Sequence, residues 1–448
     1  MSDLKIINAW ICRPVKNTIV PIFGDLKIHD GKIIAIRSKN FKNYLKENST
    51  EKGKTVYDAH GRVLTIPNVN FHDHFYSRLA KGLSITGKMD NFYDILSNYW
   101  WKVDKSLDIS TVKASAQMAA LESIKNGVTY IFDHHASPVA AKGSLNTIAE
   151  VLNEANLRGV LCFETSDRNG IKLANAALDE NISFVEKYSD DNIKAMLGLH
   201  ASFTLADDTL AESERIVKDY NLGIHIHLNE DSTDRVLSKQ IAGQFPVARL
   251  LKYNLLNIKS ILAHGIYLTK KDFSKIDEKG SAIAFNFDSN LNNSVGLPNF
   301  RMMSDSIPIL MGTDGMHASP QRTMKNYFLL MRNKGLSFDE AFTKIHKVFI
   351  DQQTFVKRYF PDFTSLNVDD RADFIIWDYV PPTPLTRDNY WGHYIYGMLE
   401  RAIQSTVQNG RFLMKNKKII GLKENKISNE IRIKGEKLVR RFNRIKNK

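Results

Sequence analysis

Histidine and carboxylate residues recur at the ends of short apolar segments of this chain. His72 and His74 form one His-x-His pair, and a second pair ends at His227, with Glu230 three residues further on. Side chains two residues apart on an extended strand project from the same side, so each pair could chelate one metal ion. A single pair of this kind is equally consistent with a structural role, and its spacing alone does not decide between the two.

Three further polar residues also lie at the ends of apolar segments. His200 and His264 each end an apolar segment, and Asp314 lies in a Thr-Asp-Gly string after the last one. All of these residues lie at or just after the end of an apolar segment, and such agreement along one chain is improbable by chance. We therefore expect these side chains to converge on one site, held together by the elements that carry them.

The segments that carry these residues alternate with stretches of helical spacing. This alternation of apolar strands and helices predicts a parallel sheet. The predicted strands are VLTIPNVNF, TYIFDHH, VLCFETS, AMLGLHA, LGIHIHLNE, SILAHGI, AIAFNFD and IPILMGTDG. Strands of this number and spacing predict a (β/α)8 TIM-like barrel, whose active site forms at the C-terminal ends of the strands.

Both ends of the chain are predicted to be β-structure. Asp30-Gly31 and Asn409-Gly410 each lie between alternating runs, which is a strong signal for a tight hairpin turn. The sequence therefore predicts a small discontinuous β-sandwich domain built from both ends. The predicted division is 1–62 plus 363–425 for the β domain, 63–362 for the barrel, and 426–448 for a basic C-terminal helix or tail.

Composition narrows the class of protein. The chain has 448 residues, 43 % of them hydrophobic, and two cysteines, Cys12 and Cys162. This suits one large catalytic domain with a small satellite, and it leaves no basis for a disulfide framework or an all-cysteine zinc site. Residues 1–10 lack the basic and apolar regions of a signal peptide, and no long apolar run predicts a membrane span. We expect a cytoplasmic protein that does not bind membranes.

The net charge of +13 invites comparison with nucleic-acid-binding proteins. Its distribution argues against that class, because residues 411–448 hold 14 Lys and Arg against three Glu, which leaves the rest of the chain nearly neutral. A nucleic-acid surface needs a stripe of Lys and Arg on the folded body. We expect no nucleic-acid partner, and a basic tail that is solvated or binds another anion.

Longer strings around these residues resemble the amidohydrolase superfamily. They are HDHFYSRLAKG (72–82), DHHASP (133–138), CFETSDRNG (162–170), GTDG (312–315) and YVPPTPL (379–385). The series as a whole is similar to the branch of guanine deaminases, cytosine deaminases and triazine hydrolases, and the strings resemble the SsnA-type aminohydrolases. The resemblance covers nearly the whole chain and implies a barrel enzyme that hydrolyses C–N bonds.

The resemblance implies one divalent metal ion per chain. Its ligands would be His72, His74, His227 and Asp314. Three imidazoles and a carboxylate suit Zn²⁺ with an open position for water, and Fe²⁺ or Mn²⁺ is the alternative. Some relatives bridge two ions with a lysine at the end of strand four, where this chain has His200. The ion would lower the pKa of its water toward about 7 and so supply a hydroxide near neutral pH.

The resemblance also implies roles around the ion. Glu230 would shuttle protons to the ring, Asp314 would take the proton of the water, and His264 would hydrogen-bond the attacking oxygen or the substrate. The residues that would bind substrate are His200, Arg168 and Asn290. His225 is predicted to have a structural role or to support a ligand from deeper in the barrel.

The sequence thus predicts a hydrolase that attacks C–N bonds of a purine- or pyrimidine-like heterocycle with a metal-bound hydroxide, by deamination or by ring opening. Two alternatives stay open. One is a triazine-type chlorohydrolase with the same site, and the other is a catalytically silent barrel whose basic tail binds an anion. The complete ligand set argues against the second. The expected partner is a small heterocyclic substrate, and a homo-oligomer is expected from the resemblance alone.

Overall fold

Residues 3–46, 53, 55–85, 87–188 and 191–446 are described by the structure, a computed structural model of the chain. The remaining positions of the predicted domains and tail lie outside the described residues. The chain divides into two compact units. The first comprises Met1–Val69, Leu121–Thr129 and Tyr327–Leu422, and the second comprises Asn70–Ala120, Tyr130–Asn326 and Lys423–Lys448.

Strands and helices alternate through the middle of the chain. The strands are β1 (Asp3–Val15), β2 (Thr18–His29), β3 (Lys32–Ser38), β4 (Val56–Asp58), β5 (Val63–Thr65), β6 (Asn68–Asp73), β7 (Val128–His135), β8 (Arg158–Phe163), β9 (Ile193–Ala195), β10 (Leu197–Ala201), β11 (Ile224–Leu228), β12 (Ile261–His264), β13 (Ala282–Phe285), β14 (Ile309–Met311), β15 (Phe374–Trp377), β16 (Ile403–Gln408), β17 (Arg411–Lys415) and β18 (Lys418–Ile419). The helices are α1 (Phe41–Lys46), α2 (Phe92–Ile95), α3 (Trp101–Ser106), α4 (Ile109–Lys125), α5 (Ser144–Glu154), α6 (Ile171–Lys187), α7 (Asp207–Asp219), α8 (Ser232–Ala242), α9 (Pro246–Lys252), α10 (Lys270–Lys279), α11 (Phe287–Asn292), α12 (Pro320–Asn333), α13 (Phe338–Val356), α14 (Tyr390–Tyr396) and α15 (Glu424–Lys446). Within the described ranges, no helix combines the length and hydropathy needed to cross a bilayer.

The strands of the first unit pair into one sheet. Their order is β18-β17-β16-β15-β5-β1-β2-β3, with β4 also paired to β1. Neighbours along this sheet are antiparallel, except that β4 and β5 run parallel to β1. Strands from both ends of the chain therefore share one sheet. A sandwich of two layers stays a prediction.

Local turn chemistry explains two hairpins of this sheet. Asp30 and Gly31, between β2 and β3, have φ angles of 46° and 76°. Asn409 and Gly410, between β16 and β17, have φ angles of 50° and 70°. Two successive left-handed residues make the turn whose twist matches that of the flanking strands, and Asn-Gly and Asp-Gly adopt it most readily. Both predicted hairpins are confirmed.

Parallel strands dominate the second unit. Strands β10 to β14 pair in chain order as one parallel sheet. A second sheet has the order β6-β7-β8-β9, and β7, β8 and β9 run parallel in it. Every residue of β7, β8, β10, β12 and β13 is buried. Such uniformly buried strands are typical of parallel sheets covered on both faces.

Parallel bridges join these two sheets at both edges. Asp73, at the end of β6, pairs with Asp314, which follows β14. Thr165, which follows β8, pairs with Leu199 in β10. Because all these strands run in one direction, their carboxyl ends meet on one side of the unit. The predicted site residues lie on that side.

The basic C-terminal segment forms helix α15, which packs on α3. Leu438 and Phe442 are buried on its inner face. Nε of Arg441 donates a hydrogen bond of 2.6 Å to the carbonyl of Ser106, the last residue of α3. The last carbonyls of a helix lack a donor within the helix, so this bond satisfies one of them. Two buried apolar side chains and one basic side chain thus hold α15 against its neighbours.

Phe442→Ala is expected to lower the free energy of unfolding by about 3–5 kcal/mol, because removing a buried aromatic ring leaves a cavity. Phe442 is 1 % exposed, whereas Val439 on the same helix is 41 % exposed. Val439→Ala is the matched control, and it should change stability by less than about 0.5 kcal/mol. Thermal unfolding of both variants beside the parent measures the difference. Equal losses of stability in the two variants would contradict the burial of Phe442 on the docked face of α15.

Candidate active site

The four side chains predicted to bind metal converge at the carboxyl ends of the parallel strands. His72 lies in β6 with His74 just after it, His227 lies in β11, and Asp314 follows β14. Nε2 of His74 lies 3.1 Å from Nε2 of His227 and 3.1 Å from Oδ1 of Asp314. Nε2 of His72 lies 4.0 Å from the same carboxylate oxygen. Donor atoms this close can share one ion with bonds of about 2.0–2.2 Å.

The chemistry of His72 fits a bound cation. Its Nε2 is buried and has no hydrogen-bond partner among the described residues. Burial and the neighbouring histidines lower the pKa of His72, so the ring is neutral and the unpartnered nitrogen is free to donate a lone pair. A buried polar atom without a partner is unfavourable, and a metal ion would satisfy it. Three imidazoles and one carboxylate are a donor set that suits a divalent ion.

Backbone carbonyls at neighbouring strand ends orient two of these imidazoles. Nδ1 of His74 donates to the carbonyl of His134 at 2.6 Å, and Nδ1 of His227 donates to the carbonyl of His200 at 2.8 Å. With its proton on Nδ1, each ring presents the lone pair of Nε2 to the shared centre. Burial acts to lower the pKa of His74, but the hydrogen bond and charge of Asp314 raise it to about 9. Asp314 therefore favours positive charge at Nε2 of His74, which either a proton or a metal ion at that nitrogen would supply.

His225 supports the third imidazole, as predicted. Its Nε2 lies 2.8 Å from Nδ1 of His72, and both rings are buried. Nδ1 of His72 donates to this acceptor in the same way that the other two ligand rings donate to carbonyls. His225 therefore holds the ring of His72 in place and is two residues too early in β11 to reach the centre itself.

The three residues predicted to be catalytic lie side by side next to this centre. Nε2 of His264 lies 3.4 Å from Oε2 of Glu230 and 3.7 Å from Oδ2 of Asp314. Burial, together with the charge of Asp314, raises the pKa of Glu230. Burial acts in the same direction on Asp314, but hydrogen bonding and the charges of nearby imidazoles bring the pKa of that carboxyl below its usual range. The two carboxyls therefore differ in protonation, which is the arrangement that separates an acid from a base.

Two of these residues have a left-handed backbone. The φ angle is 74° at His264 and 52° at Asp314. Such conformations cost about 1–3 kcal/mol outside glycine and persist only where the surroundings enforce them. The N–H of Asp314 donates to the carbonyl of His72 at 3.0 Å, and the N–H of Gly265 donates to the carbonyl of Leu228 at 2.9 Å. Bonds to the neighbouring strands thus hold both turns in the shape that aims these side chains inward.

His74, His227, Glu230 and Asp314 line a cavity of about 790 Å³, a volume that includes open solvent at its mouth. Its aromatic lining residues are Tyr76, Phe92, Trp100, Trp101 and Phe203. Flat aromatic faces beside a few polar groups are suited to a ring-shaped ligand.

The residues predicted to bind substrate lie in two different places. His200 and Arg168 line the cavity. Nδ1 of His200 lies 2.7 Å from Oγ1 of Thr204, and burial lowers the pKa of His200 to about 3, so the ring is neutral. Asn290 is absent from the described residues that line the cavity, and its Oδ1 lies 2.8 Å from Nδ1 of His264. Asn290 therefore contacts His264 and lies outside the set of described side chains that line the cavity.

Sequence reasoning missed two acidic residues of the cavity wall, Asp104 and Glu164. Both pair with Arg168, at 2.5 Å and 2.8 Å. Glu164 directly follows β8, so the strand-end rule that points to the histidines also applies to it. Asp104 lies in helix α3, and nothing in its local sequence distinguishes it from an ordinary surface acid.

A centre of histidines and carboxylates at the carboxyl ends of parallel strands is typical of metal-dependent hydrolases. The sequence profile of the amidohydrolase family matches residues 65–345, and the chain belongs to this family. A 5'-deoxyadenosine deaminase of Methanococcus aeolicus is 25% identical over 90% of this chain and 93% of its own length. A 5-methylthioadenosine/S-adenosylhomocysteine deaminase of Thermococcus kodakarensis is 24% identical over 87% of this chain and 89% of its own length. The crystal structure of an adenosine deaminase from Xanthomonas campestris with bound zinc has a TM-score of 0.78 over 98% of both chains, at 15% identity, and so shares the fold.

These comparisons confirm the family resemblance seen in the sequence. The fold includes a TIM-barrel-like α/β domain. The protein is a metal-dependent hydrolase of this family and acts on C–N bonds other than peptide bonds. Membership of an enzyme family argues against the alternative of a catalytically silent protein.

His225→Leu is expected to weaken metal binding by about 10–100-fold, since partners that orient a ligand ring typically contribute that much. All four candidate ligands stay in place in this variant. Retention of metal against a competing chelator measures the effect, and His29→Leu is the control because His29 is exposed. Unchanged retention in His225→Leu would show that the ring of His72 needs no support from His225.

Proposed function

We propose that the protein deaminates a 6-aminopurine nucleoside or a close analogue at a site with one zinc ion. The observation that carries this proposal is the pair of carboxyls, Glu230 and Asp314, on either side of Nε2 of His264 at 3.4 Å and 3.7 Å. Hydrolysis at an amidine-like ring carbon needs one group to protonate the ring nitrogen and another to take a proton from water. The pair supplies both groups beside the candidate metal ligands.

The donor set supports one divalent ion, held by His72, His74, His227 and Asp314. When bound, the ion lowers the pKa of a water molecule and so prepares it for attack near neutral pH. Zinc is proposed because this donor set suits it and because the adenosine deaminase of similar fold contains zinc. None of the described residues that line the cavity is a lysine, which supports a single ion.

Two side chains carry the protons of the proposed reaction, and a third positions the attacking oxygen. Glu230 donates its proton to the ring nitrogen while the water oxygen bonds to the carbon that bears the amino group. His264 hydrogen-bonds the attacking oxygen, and Asp314 takes one proton of the water and passes it to the amino group. The C–N bond then breaks, ammonia leaves, and the remaining proton of the oxygen returns to Glu230. The product is the 6-oxopurine.

The cavity and the relatives support a nucleoside as substrate. Aromatic and polar side chains line the cavity together, as in sites that bind small ring-shaped ligands. Trp100 and Trp101 offer flat faces for the purine, and His200 is proposed to border the ligand. Arg168 is proposed to act as part of the cavity wall, and Asn290 to hold His264. The two relatives described above are deaminases of adenosine derivatives by name.

We also propose that the parallel strands close into an eight-stranded barrel, because bridges join the two sheets of the second unit at both edges. The proposed division of the chain is 1–62 plus 363–425 for the small β domain, 63–362 for the barrel and 426–448 for the terminal helix. Cys12 and Cys162 are buried free thiols, which supports a reducing, cytoplasmic location. A homo-oligomer stays a proposal from the family resemblance.

Glu230→Gln is expected to keep the metal and to lower kcat by about 10²–10⁴-fold, because glutamine fills the same space and cannot carry the proton. Ammonia release from adenosine and 5'-deoxyadenosine measures activity, and elemental analysis of the same samples measures metal. Glu278→Gln is the control, since Glu278 lies in an exposed ion pair on α10.

Two results would contradict different parts of this proposal. Parent-level turnover by Glu230→Gln would rule out the proton-carrier role of that residue. A metal-loaded parent that releases no ammonia from any aminopurine or aminopurine nucleoside would rule out the proposed function.

One equivalent of divalent metal per chain is expected in protein purified without added metal, because one four-donor site is assigned. Removal by a chelator should abolish ammonia release, and added zinc should restore it. Elemental analysis before and after the treatment measures the stoichiometry. Two equivalents per chain in active protein would contradict the single-ion assignment.

A further inference from the structure

Arg168 is the one arginine or lysine among the described residues that line the cavity. Carboxylates occupy both of its terminal nitrogens. Nη1 lies 2.8 Å from Oε1 of Glu164, and Nη2 lies 2.5 Å from Oδ2 of Asp104. The side chains of both acids are 2 % exposed. These three residues, Asp104, Glu164 and Arg168, are called the acidic triad below.

The acidic triad places net negative charge in the cavity wall, because two carboxylates face one guanidinium. Burial raises the pKa of Asp104 to about 6, with Arg168 acting against the rise, so the group is mostly ionised at neutral pH. Arg168 holds Glu164 as a carboxylate at 2.8 Å, and Nδ1 of His134 lies 3.5 Å from the other carboxylate oxygen. The other acidic residues that line the cavity are Glu230, Asp234 and Asp314.

Arg168 is already paired with the protein's own carboxylates, which disfavours its use by an incoming anion. The ring of Trp101 lies over its guanidinium carbon at 5.5 Å. Oδ1 of Asp104 accepts a hydrogen bond from the N–H of Lys105 at 2.9 Å, which fixes the carboxylate that Arg168 holds. An anion that took over the guanidinium would leave a carboxylate buried without its partner, which is strongly unfavourable.

The charge of the acidic triad also lies close to the reacting centre. A carboxylate oxygen of Glu164 and the ring nitrogens of His74, His134 and His227 all lie within 4.8 Å of one another. In a buried site of low dielectric constant, a charge at such distances acts on any ligand in the cavity. A substrate at the centre therefore lies close to this charge.

We propose that the acidic triad restricts the enzyme to substrates whose non-reacting part carries no negative charge, so that nucleosides bearing a carboxylate or phosphate are rejected. The inference rests on the proposed deaminase function and adds which members of the substrate class are accepted. Asp104 and Glu164 are thus residues that determine specificity, and Arg168 holds them together.

Adenosine-5'-carboxamide and adenosine-5'-carboxylate test the proposal, because they are nearly equal in size and differ by one negative charge. Ammonia release by the metal-loaded parent should give a kcat/KM for the carboxylate at least about tenfold below that for the carboxamide, as expected for like charges in a buried site. Equal values for the two compounds would overturn the proposal and leave the deaminase function standing. No release from either compound or from adenosine would overturn the deaminase function and this inference with it.

Asp104→Asn removes one negative charge of the acidic triad. The ratio of kcat/KM for the carboxamide to kcat/KM for the carboxylate should therefore fall by at least about threefold. Asp104→Glu keeps the charge and should keep the parent ratio. A purely structural role would lower turnover of both compounds together and leave the ratio unchanged, which would overturn the assignment. Glu164→Gln provides the same test if Asp104→Asn does not fold, with the same fall in the ratio expected.

Discussion

Hydrogen bonds from buried imidazoles to carbonyls at neighbouring strand ends are the interaction on which the site depends. Nδ1 of His227 reaches the carbonyl of His200 because the pairing of β10 with β11 is irregular at that point, with Leu199 opposite Ile226 but Ala201 opposite His227. Irregular pairing re-aims backbone groups beside active sites. A regular ladder would shift this carbonyl, and a slip of one residue would turn the histidines to the other face. Strand register thus decides which nitrogen of each ring faces the centre.

Close approach of two strands is the second constraint on the centre. A Cβ atom at Gly312 would lie 2.3 Å from Oδ1 of Asn286 and 2.6 Å from Cβ of His72, so only glycine fits there. This contact brings the end of β14 against β6, where the backbone turns left-handed at Asp314. The Gly-Thr-Asp-Gly string therefore combines a packing requirement, a strained turn and a carboxylate within four residues. Each part is needed for the carboxylate to meet the histidines of β6.

The sequence could predict what depends on local pattern, and it could not predict what depends on distant partners. Hairpin turns follow from Asn-Gly and Asp-Gly, whose preference for left-handed backbone is intrinsic. Strand-end histidines follow from periodicity, because parallel strands bring their ends together wherever the helices lie. The pairing of Arg168 with Asp104 joins residues 64 apart, one of them in a helix. No local pattern encodes that contact, so an arginine expected to bind substrate is found bound to the protein's own acids.

The electrostatics of the cavity link the centre to its wall. A divalent ion at the four-donor site, with Asp314 as its one carboxylate ligand, would leave one net positive charge. The acidic triad carries one net negative charge within reach of the same imidazoles. Opposite charges separated by a few ångströms in a buried site stabilise each other. Glu164 would therefore favour the ion through its charge, while the part of the wall formed by the acidic triad keeps its negative charge toward an incoming substrate. A neutral heterocycle can enter such a cavity without an ionic partner. The same charges would therefore help to retain the metal ion and to select the substrate.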